Sequence, residues 1–347
     1  MSGPVSILRP GPKGAPPDPS PVPRLRATQY GAPKMSRWIR RSAPAGLAAA
    51  LLAAVLGTLA TAAVRQTRQD PFRIQVQVEA VNLGVAVTDE RGRFVSGLTA
   101  DDFVVREDGV PQQISFFAAE AAPLTILVLL DASLSMRVSL DYVKEAAATF
   151  VDRLWEGDVA MIGEFNDRVR FGGEFTDDRF RLTANIMALD PLGPTALYDA
   201  SIMALERLHF ADGDRKALLI FTDGDDSRSM GFGSEMSAGD AIEAARLTDA
   251  VVYAIGFEGN GARVNKRFLR RLTEETGGQA LFPERTGDLI GSFARIEADM
   301  HAQYRLAYIP REAERDGEWR EIEVSVRGRR DLLARTRNGY YAFPSEE

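Results

Sequence analysis

The chain has 347 residues, 45 % of them hydrophobic and 26 % charged, with a formal net charge of −7; that is a globular composition with length enough for two domains. It has no cysteine and two histidines, His209 and His301, which excludes disulfides, thiolate catalysis and cysteine-held zinc and leaves little for histidine-based catalysis. The first 64 residues carry eight Lys or Arg and one Asp, leaving 34 basic and 48 acidic side chains, a net −14, for the rest; so acidic a body argues against a nucleic-acid partner, because phosphate needs a basic face.

Residues 1–34 are Pro-rich and without apolar periodicity, and ten of the 18 prolines fall in the first 44 residues. This composition predicts a disordered segment. Residues 35–64 read as an export signal, with Met35 as an alternative start. Arg37, Arg40 and Arg41 precede an uncharged stretch from Ser42 to Val64, and Ala60-Thr61-Ala62 fits a cleavage site. The same stretch has the length of a membrane span. Both readings, cleaved signal and retained anchor at 42–64, place the rest of the chain outside the cytoplasm: periplasmic, in the envelope or secreted. A membrane is touched only through this segment, and only if it is not removed.

Residues 71–118 read as short strands. "FRIQVQVEAV" alternates at period two, "NLGVAVTDERGRFVSGL" reads as a hairpin turning at Asp89–Gly92, and "DDFVVREDGVPQQISFF" as another turning at Asp108-Gly109. From residue 120 to about 300 the texture changes to alternating strands and helices. "LTILVLL" is a continuous apolar run suited to a strand buried on both faces. "SLDYVKEAAATFVDRLW" has helical periodicity, with Ser139 as its cap. Strands "DVAMIGEF", "RVRFGGEF", "KALLIFTD", "VVYAIGFE" and "QALFP" then alternate with helices "DDRFRLTANIMALD", "LYDASIMALERL", "SAGDAIEAARLTDA", "NKRFLRRLTEETGG" and "DLIGSFARIEADM". The pattern predicts an α/β fold with a doubly wound, mostly parallel sheet. Residues 302–343 return to strands, with "QYRLAYIP", "EWREIEVSVRG" and "LLARTRNGYYAF" each alternating. Each strand-rich flank is too short to be stable alone, so 71–118 and 302–343 are expected to pair into one small β domain with the α/β unit inserted between them.

The apolar run at 124–130 ends in "DASLSM". Asp131, Ser133 and Ser135 alternate, so a loop there can turn three oxygens toward one point, and in open α/β sheets ligands bind beyond the carboxyl ends of strands. "GPTALYDA" adds Thr195 in a loop before a helix, with Asp199 four positions on; "LLIFTDGDD" adds Asp223 just past another apolar strand. Carboxylates with hydroxyls are hard-ligand chemistry suited to Mg²⁺, with Mn²⁺ or Ca²⁺ as the other oxygen-seeking cations.

At these residues the chain resembles the von Willebrand factor type A domain over roughly residues 120–300, with a DxSxS motif at Asp131-Ala132-Ser133-Leu134-Ser135, the motif threonine at Thr195 and the strand-terminal aspartate at Asp223. The strand-rich flanks resemble a bacterial exported subgroup of von Willebrand type A-related proteins. The resemblance implies a metal-ion-dependent adhesion site. In it Ser133 and Ser135 bind the cation directly, Asp131 and Asp223 hold it largely through water, and Thr195 joins or leaves as its loop moves. A partner protein's Asp or Glu carboxylate takes the open position. It implies a non-enzymatic binding module. Two other roles stay open: a recruiting subunit of an envelope assembly or metal-chelatase-like machine, and a metal-free structural scaffold.

Other residues are read more plainly. Asp199 is expected to serve the helix dipole or to support Thr195. Asp225 and Asp226 are expected to be solvated turn residues, with charge behind the cation's ligands or a secondary cation contact as the other reading, and both histidines to lie at the surface. Rival chemistries lack their parts. An aspartate phosphotransferase needs a second Asp where Ser133 stands, a serine hydrolase needs a histidine partner, and no phosphate-binding glycine loop is present.

Overall fold

The computed structural model describes residues 80–119, 122–257, 264–311 and 315–344. The readings for 1–34 and 35–64, and most of the strand expected at "FRIQVQVEAV", lie outside the described residues. The α/β unit is built on six strands: β5 (Thr125–Asp131), β6 (Val159–Phe165), β7 (Val169–Phe171), β8 (Lys216–Thr222), β9 (Val251–Gly256) and β10 (Ala280–Leu281). Their order is β10-β9-β8-β5-β6-β7, parallel throughout except for the edge strand β7.

All seven residues of β5 are buried, as its continuous apolar run requires when helices cover both faces. Alternate residues go to opposite sides. Ile126, Val128 and Leu130 meet helices α1 (Leu140–Asp152) and α6 (Leu289–His301) through Val143, Phe150, Phe293 and Ile296. Leu127 and Leu129 meet α3 (Leu197–His209), α4 (Ala238–Leu247) and α5 (Lys266–Glu275) through Leu197, Ala204, Ala245 and Leu269. The short helix α2 (Arg179–Met187) starts at Asp178, whose carboxylate accepts the amides of Phe180 and Arg181.

The flanks make two antiparallel sheets of four strands each. Strands β1 (Val81–Asp89), β4 (Ile114–Ala118), β11 (Tyr304–Tyr308) and β13 (Leu332–Arg335) run in the order β13-β1-β11-β4. Strands β2 (Phe103–Glu107), β3 (Val110–Gln112), β12 (Trp319–Val326) and β14 (Gly339–Tyr341) run in the order β14-β12-β2-β3. Both sheets give side chains to one apolar cluster, including Val85, Tyr304 and Leu306 from the first and Phe103, Val105 and Val324 from the second. The β2–β3 hairpin turns where its sequence predicts, with Asp108 and Gly109 both at positive φ (48° and 78°).

Four local expectations change. The hairpin expected after β1 shrinks to a single bridge, Thr88 to Phe94; β11 holds the same edge of β1 from Val81 to Val85, and β13 pairs with the opposite edge from Ala86 to Asp89. Ser139 is not a side-chain cap. A 3₁₀ turn over Leu134–Val138 leads straight into α1, so Ser139 is already helical and its hydroxyl faces the Met136 carbonyl. "LLARTRNGYYAF" is two strands in two sheets. Finally, His209 is exposed as expected but His301 is buried: its ring bonds Asp158 Oδ2 (3.0 Å) and the Glu297 carbonyl (2.9 Å) and stacks on Trp155 at 4.1 Å. Among the described residues no helix is long and apolar enough to cross a membrane.

Candidate functional site

Register brings the site together. β5 pairs in parallel with β6 and β8 from Thr125 onward, so Asp131 lies opposite Phe165 and Leu130 opposite Phe221. The carboxyl ends of neighbouring strands are thus level, and Asp223 emerges beside Asp131. Both acids are buried, 0 % and 2 % exposed.

A chain of short hydrogen bonds joins them. The Ser133 amide donates to Asp131 Oδ1 (2.8 Å), the Ser133 and Ser135 hydroxyls touch at 2.9 Å, and Ser135 donates to Asp223 Oδ1 at 2.7 Å. Thr222 donates to Asp131 Oδ2 at 2.6 Å and accepts from the Gly224 amide. Thr195 comes from the other side. A side-chain carbon on Gly224 would project 3.9 Å from both the Thr195 and the Ser135 hydroxyl oxygens, so the two hydroxyls face the same short piece of backbone. Direct bonds therefore link Asp131, Ser133, Ser135 and Asp223, and Thr195 approaches them across Gly224.

The loops carrying these groups are fixed by backbone bonds. Leu134 donates to the Gly193 carbonyl and Leu192 to the Ala132 carbonyl, both at 2.9 Å, which ties the Asp131–Ser135 loop to the loop before Thr195. Gly193 makes this turn at φ 70°. Thr195 itself is clamped by Ser227, whose hydroxyl accepts its amide (3.0 Å) while the Ser227 amide donates to its carbonyl (2.9 Å).

Asp226 is a buried anchor rather than the expected solvated turn residue. Its carboxylate accepts the amides of Tyr198, Arg228 and Ser234 and the Ser234 hydroxyl. Four donors from three segments compensate for its loss of water. Asp225 is the more exposed of the pair, and accepts from Asn265 and Tyr198. Asp199 sits in the first turn of α3, and its carboxylate takes the amides of Glu235 and Met236 at 2.9 Å each; it orders the 234–236 loop and does not reach the Thr195 side chain by any hydrogen bond found among the described residues. Thr222, Ser227 and Ser234 were not singled out from the sequence. Single hydroxyls inside strands and loops carry no local signal of the long-range bonds they make.

The electrostatics are unusual for two neighbouring acids. Burial pushes Asp131 up to about 7, against the lowering effect of the Ser133 and Thr222 hydroxyls, and the charge of Asp223 adds to the rise. Burial also raises Asp223, opposed by the Ser135 hydroxyl. Among the described residues neither acid has an ion pair with Lys, Arg or His. Two desolvated carboxylates without a cation, beside three hydroxyls, form an all-oxygen set suited to a hard divalent ion. Among the described residues no group of three or more His, Cys, Asp or Glu side chains could hold a metal; two carboxylates and three hydroxyls make a different kind of donor set.

No curated protein sequence matches the chain. Among solved structures it is similar to an aerotolerance-related membrane protein of Bacteroides fragilis, at 17 % identity over 51 % of this chain and 98 % of that one, with a TM-score of 0.42. It is similar to a von Willebrand factor type A protein from Catenulispora acidiphila at 17 % identity, over 65 % of this chain and 51 % of that one, with a TM-score of 0.44. A third is proximal thread matrix protein 1 from the mussel byssus with a zinc-occupied MIDAS motif: 18 % identity, 56 % of this chain, 49 % of that one, TM-score 0.45. The chain spans about half the length of the last two. Residues 126–226 match the family model of the von Willebrand factor type A domain. That segment runs from β5 to the loop beyond β8 and contains every one of the five oxygen-bearing residues, and the chain carries a von Willebrand factor type A domain.

Proposed function

We propose that this chain is an exported, non-enzymatic module that binds a divalent cation, Mg²⁺ or in its place Mn²⁺ or Ca²⁺, and captures an Asp or Glu carboxylate of a partner protein. Ser133, Ser135, Thr195, Asp131 and Asp223 would hold the ion, the hydroxyls supplying neutral oxygen donors and the two carboxylates the compensating charge. The observation that carries this reading is the pair of buried acids, joined through serine hydroxyls and without an ion-pair partner among the described residues. When bound, the cation supplies a positive centre whose remaining coordination position attracts an incoming carboxylate. The chain's own groups do the rest. Asp131 and Asp223 supply the negative charge, Thr222 and the Ser133 amide hold Asp131 in one orientation, and Ser227 and Asp226 fix the loop that presents Thr195. Export is supported by the arginine-led uncharged stretch at 35–64.

A capture assay from envelope extract tests the reading, with the full chain as bait. A partner is expected to be retained in Mg²⁺, released by EDTA, and absent with Asp131→Ala. Thr195→Ala is expected to weaken capture more than it weakens the cation. Capture that persists unchanged in EDTA, or with Asp131→Ala, contradicts the reading.

A further inference from the structure

A second site lies at the opposite end of the parallel sheet. A cavity of about 450 Å³ opens where the amino-terminal ends of β5, β8 and β9 meet β1 and β11. That volume is in the range of small-molecule pockets. Its wall combines an apolar side, including Leu124, Val251 and Met300, with three cationic side chains, Arg215, Lys216 and Arg305, and two carboxylates, Asp214 and Asp249.

The cations differ in how they are satisfied. Lys216 donates to the His209 carbonyl (3.1 Å) and lies 3.7 Å from Asp249. Arg305 reaches Asp214 at 4.0 Å, but that carboxylate is 91 % exposed and screened by water. Arg215 is buried and donates to two backbone carbonyls, Ala122 (2.7 Å) and Met300 (2.6 Å); among the described residues no carboxylate lies within ion-pair distance of it. Burial lowers its pKa, and the nearby charge of Arg305 adds to the fall, against the raising effects of Tyr253 and of the Asp158 carboxylate. Tyr253, fully buried, projects its hydroxyl into the same wall. The hydroxyl accepts the Gln303 amide at 2.9 Å, and among the described residues nothing accepts its own proton. A buried guanidinium whose hydrogen bonds among the described residues all go to backbone carbonyls, and a buried hydroxyl without an acceptor among them, can both receive an oxygen anion.

We propose that this cavity binds a small organic carboxylate, its oxygens received by Arg215, Arg305 and the Tyr253 hydroxyl and its apolar body lying against Leu124, Val251 and Met300. The site is independent of the five oxygen donors at the carboxyl ends of the strands. A carboxylate there bridges the α/β unit and β11, so its binding stabilises the fold by mass action.

Benzoate is the probe, with benzyl alcohol as its neutral counterpart, both added to the full chain at constant ionic strength. Benzoate is expected to raise the thermal unfolding midpoint saturably, and benzyl alcohol to leave it unmoved. Losing one charge-assisted contact in Arg305→Gln is expected to weaken benzoate about tenfold. Tyr253→Phe, which removes one oxygen and keeps the packing, is expected to weaken it several-fold. Asp131→Ala is expected to respond as wild type does. No response to benzoate, an equal response to benzyl alcohol, or undiminished benzoate affinity in both cavity variants overturns the proposal.

Discussion

Asp131→Asn is expected to stabilise the metal-free protein at pH 8 by about 1–3 kcal/mol, and to abolish the stabilisation that the proposed Mg²⁺ site is expected to give wild type. The folded-state pKa of Asp131 is about 7, against an ordinary 3.8. The folded state therefore holds this proton more tightly than the unfolded chain does. Stability linked to the group is complete below about pH 4 and is lost as pH rises through about 7. At 1.36 kcal/mol per unit, the interval amounts to roughly 4 kcal/mol at most. Asparagine avoids that cost and keeps one oxygen for the Ser133 amide, but it forfeits the Thr222 bond, worth about 1 kcal/mol. Urea unfolding after chelation, at pH 5 and pH 8, measures the effect. The gain is expected at pH 8 and should nearly vanish at pH 5. A variant less stable than wild type at pH 8 by more than about 1 kcal/mol would mean that burial of the carboxylate is not the dominant influence.

The second large effect is expected far from the site. Asp299, on the last turn of α6, is 0 % exposed, and its Oδ2 receives Arg335 of β13 and Gln279 (2.5 Å). Arg335 also donates to the Gly277 carbonyl at 2.9 Å. Close by, the buried Glu275 receives Arg246 (3.1 Å), Arg271 (2.6 Å) and Asn338 (3.4 Å). These two carboxylates tie the β13–β14 end of the flanking sheets to the helices of the α/β unit. Arg335→Ala is expected to cost about 3–5 kcal/mol, because it leaves Asp299 buried and unpaired. Burial already raises the Asp299 pKa and Arg335 opposes that rise. Removing the guanidinium lifts the pKa further, so the loss is expected to be greatest at neutral pH and to shrink toward pH 4. Asp299→Asn in the same background should recover part of it. A loss below about 1 kcal/mol at pH 7 would show that water or another group already compensates Asp299.

The central sheet was legible because its signal is local. "LTILVLL" is too uniformly apolar to be anything but doubly covered, and the 3.6-residue periodicity of α1, α3 and α5 marks their buried faces. Asp131, Ser133 and Ser135 stood out because an oxygen cluster directly after such a strand has few structural uses. Thr195 and Asp223 stood out by their places before a helix and after a strand. The supporting groups were not legible. Thr222 looks like any strand residue until β5 and β8 align, and Ser227 like any loop serine until Thr195 lies against it. Asp226 reads as one more acid in a glycine-rich turn. His301 was misplaced for the same reason: its partner Asp158 is 143 positions away, and nothing adjacent to either residue announces the bond. Long-range polar contacts depend on register and helix placement, which periodicity does not encode.

A crystal of the full chain soaked in manganese tests the central claim most directly. One anomalous peak is expected among the hydroxyl oxygens of Ser133, Ser135 and Thr195, with the Asp131 and Asp223 carboxylates turned toward it, and no such peak in Asp131→Ala. Well-ordered loops with the five oxygens in place and no anomalous density between them would contradict it.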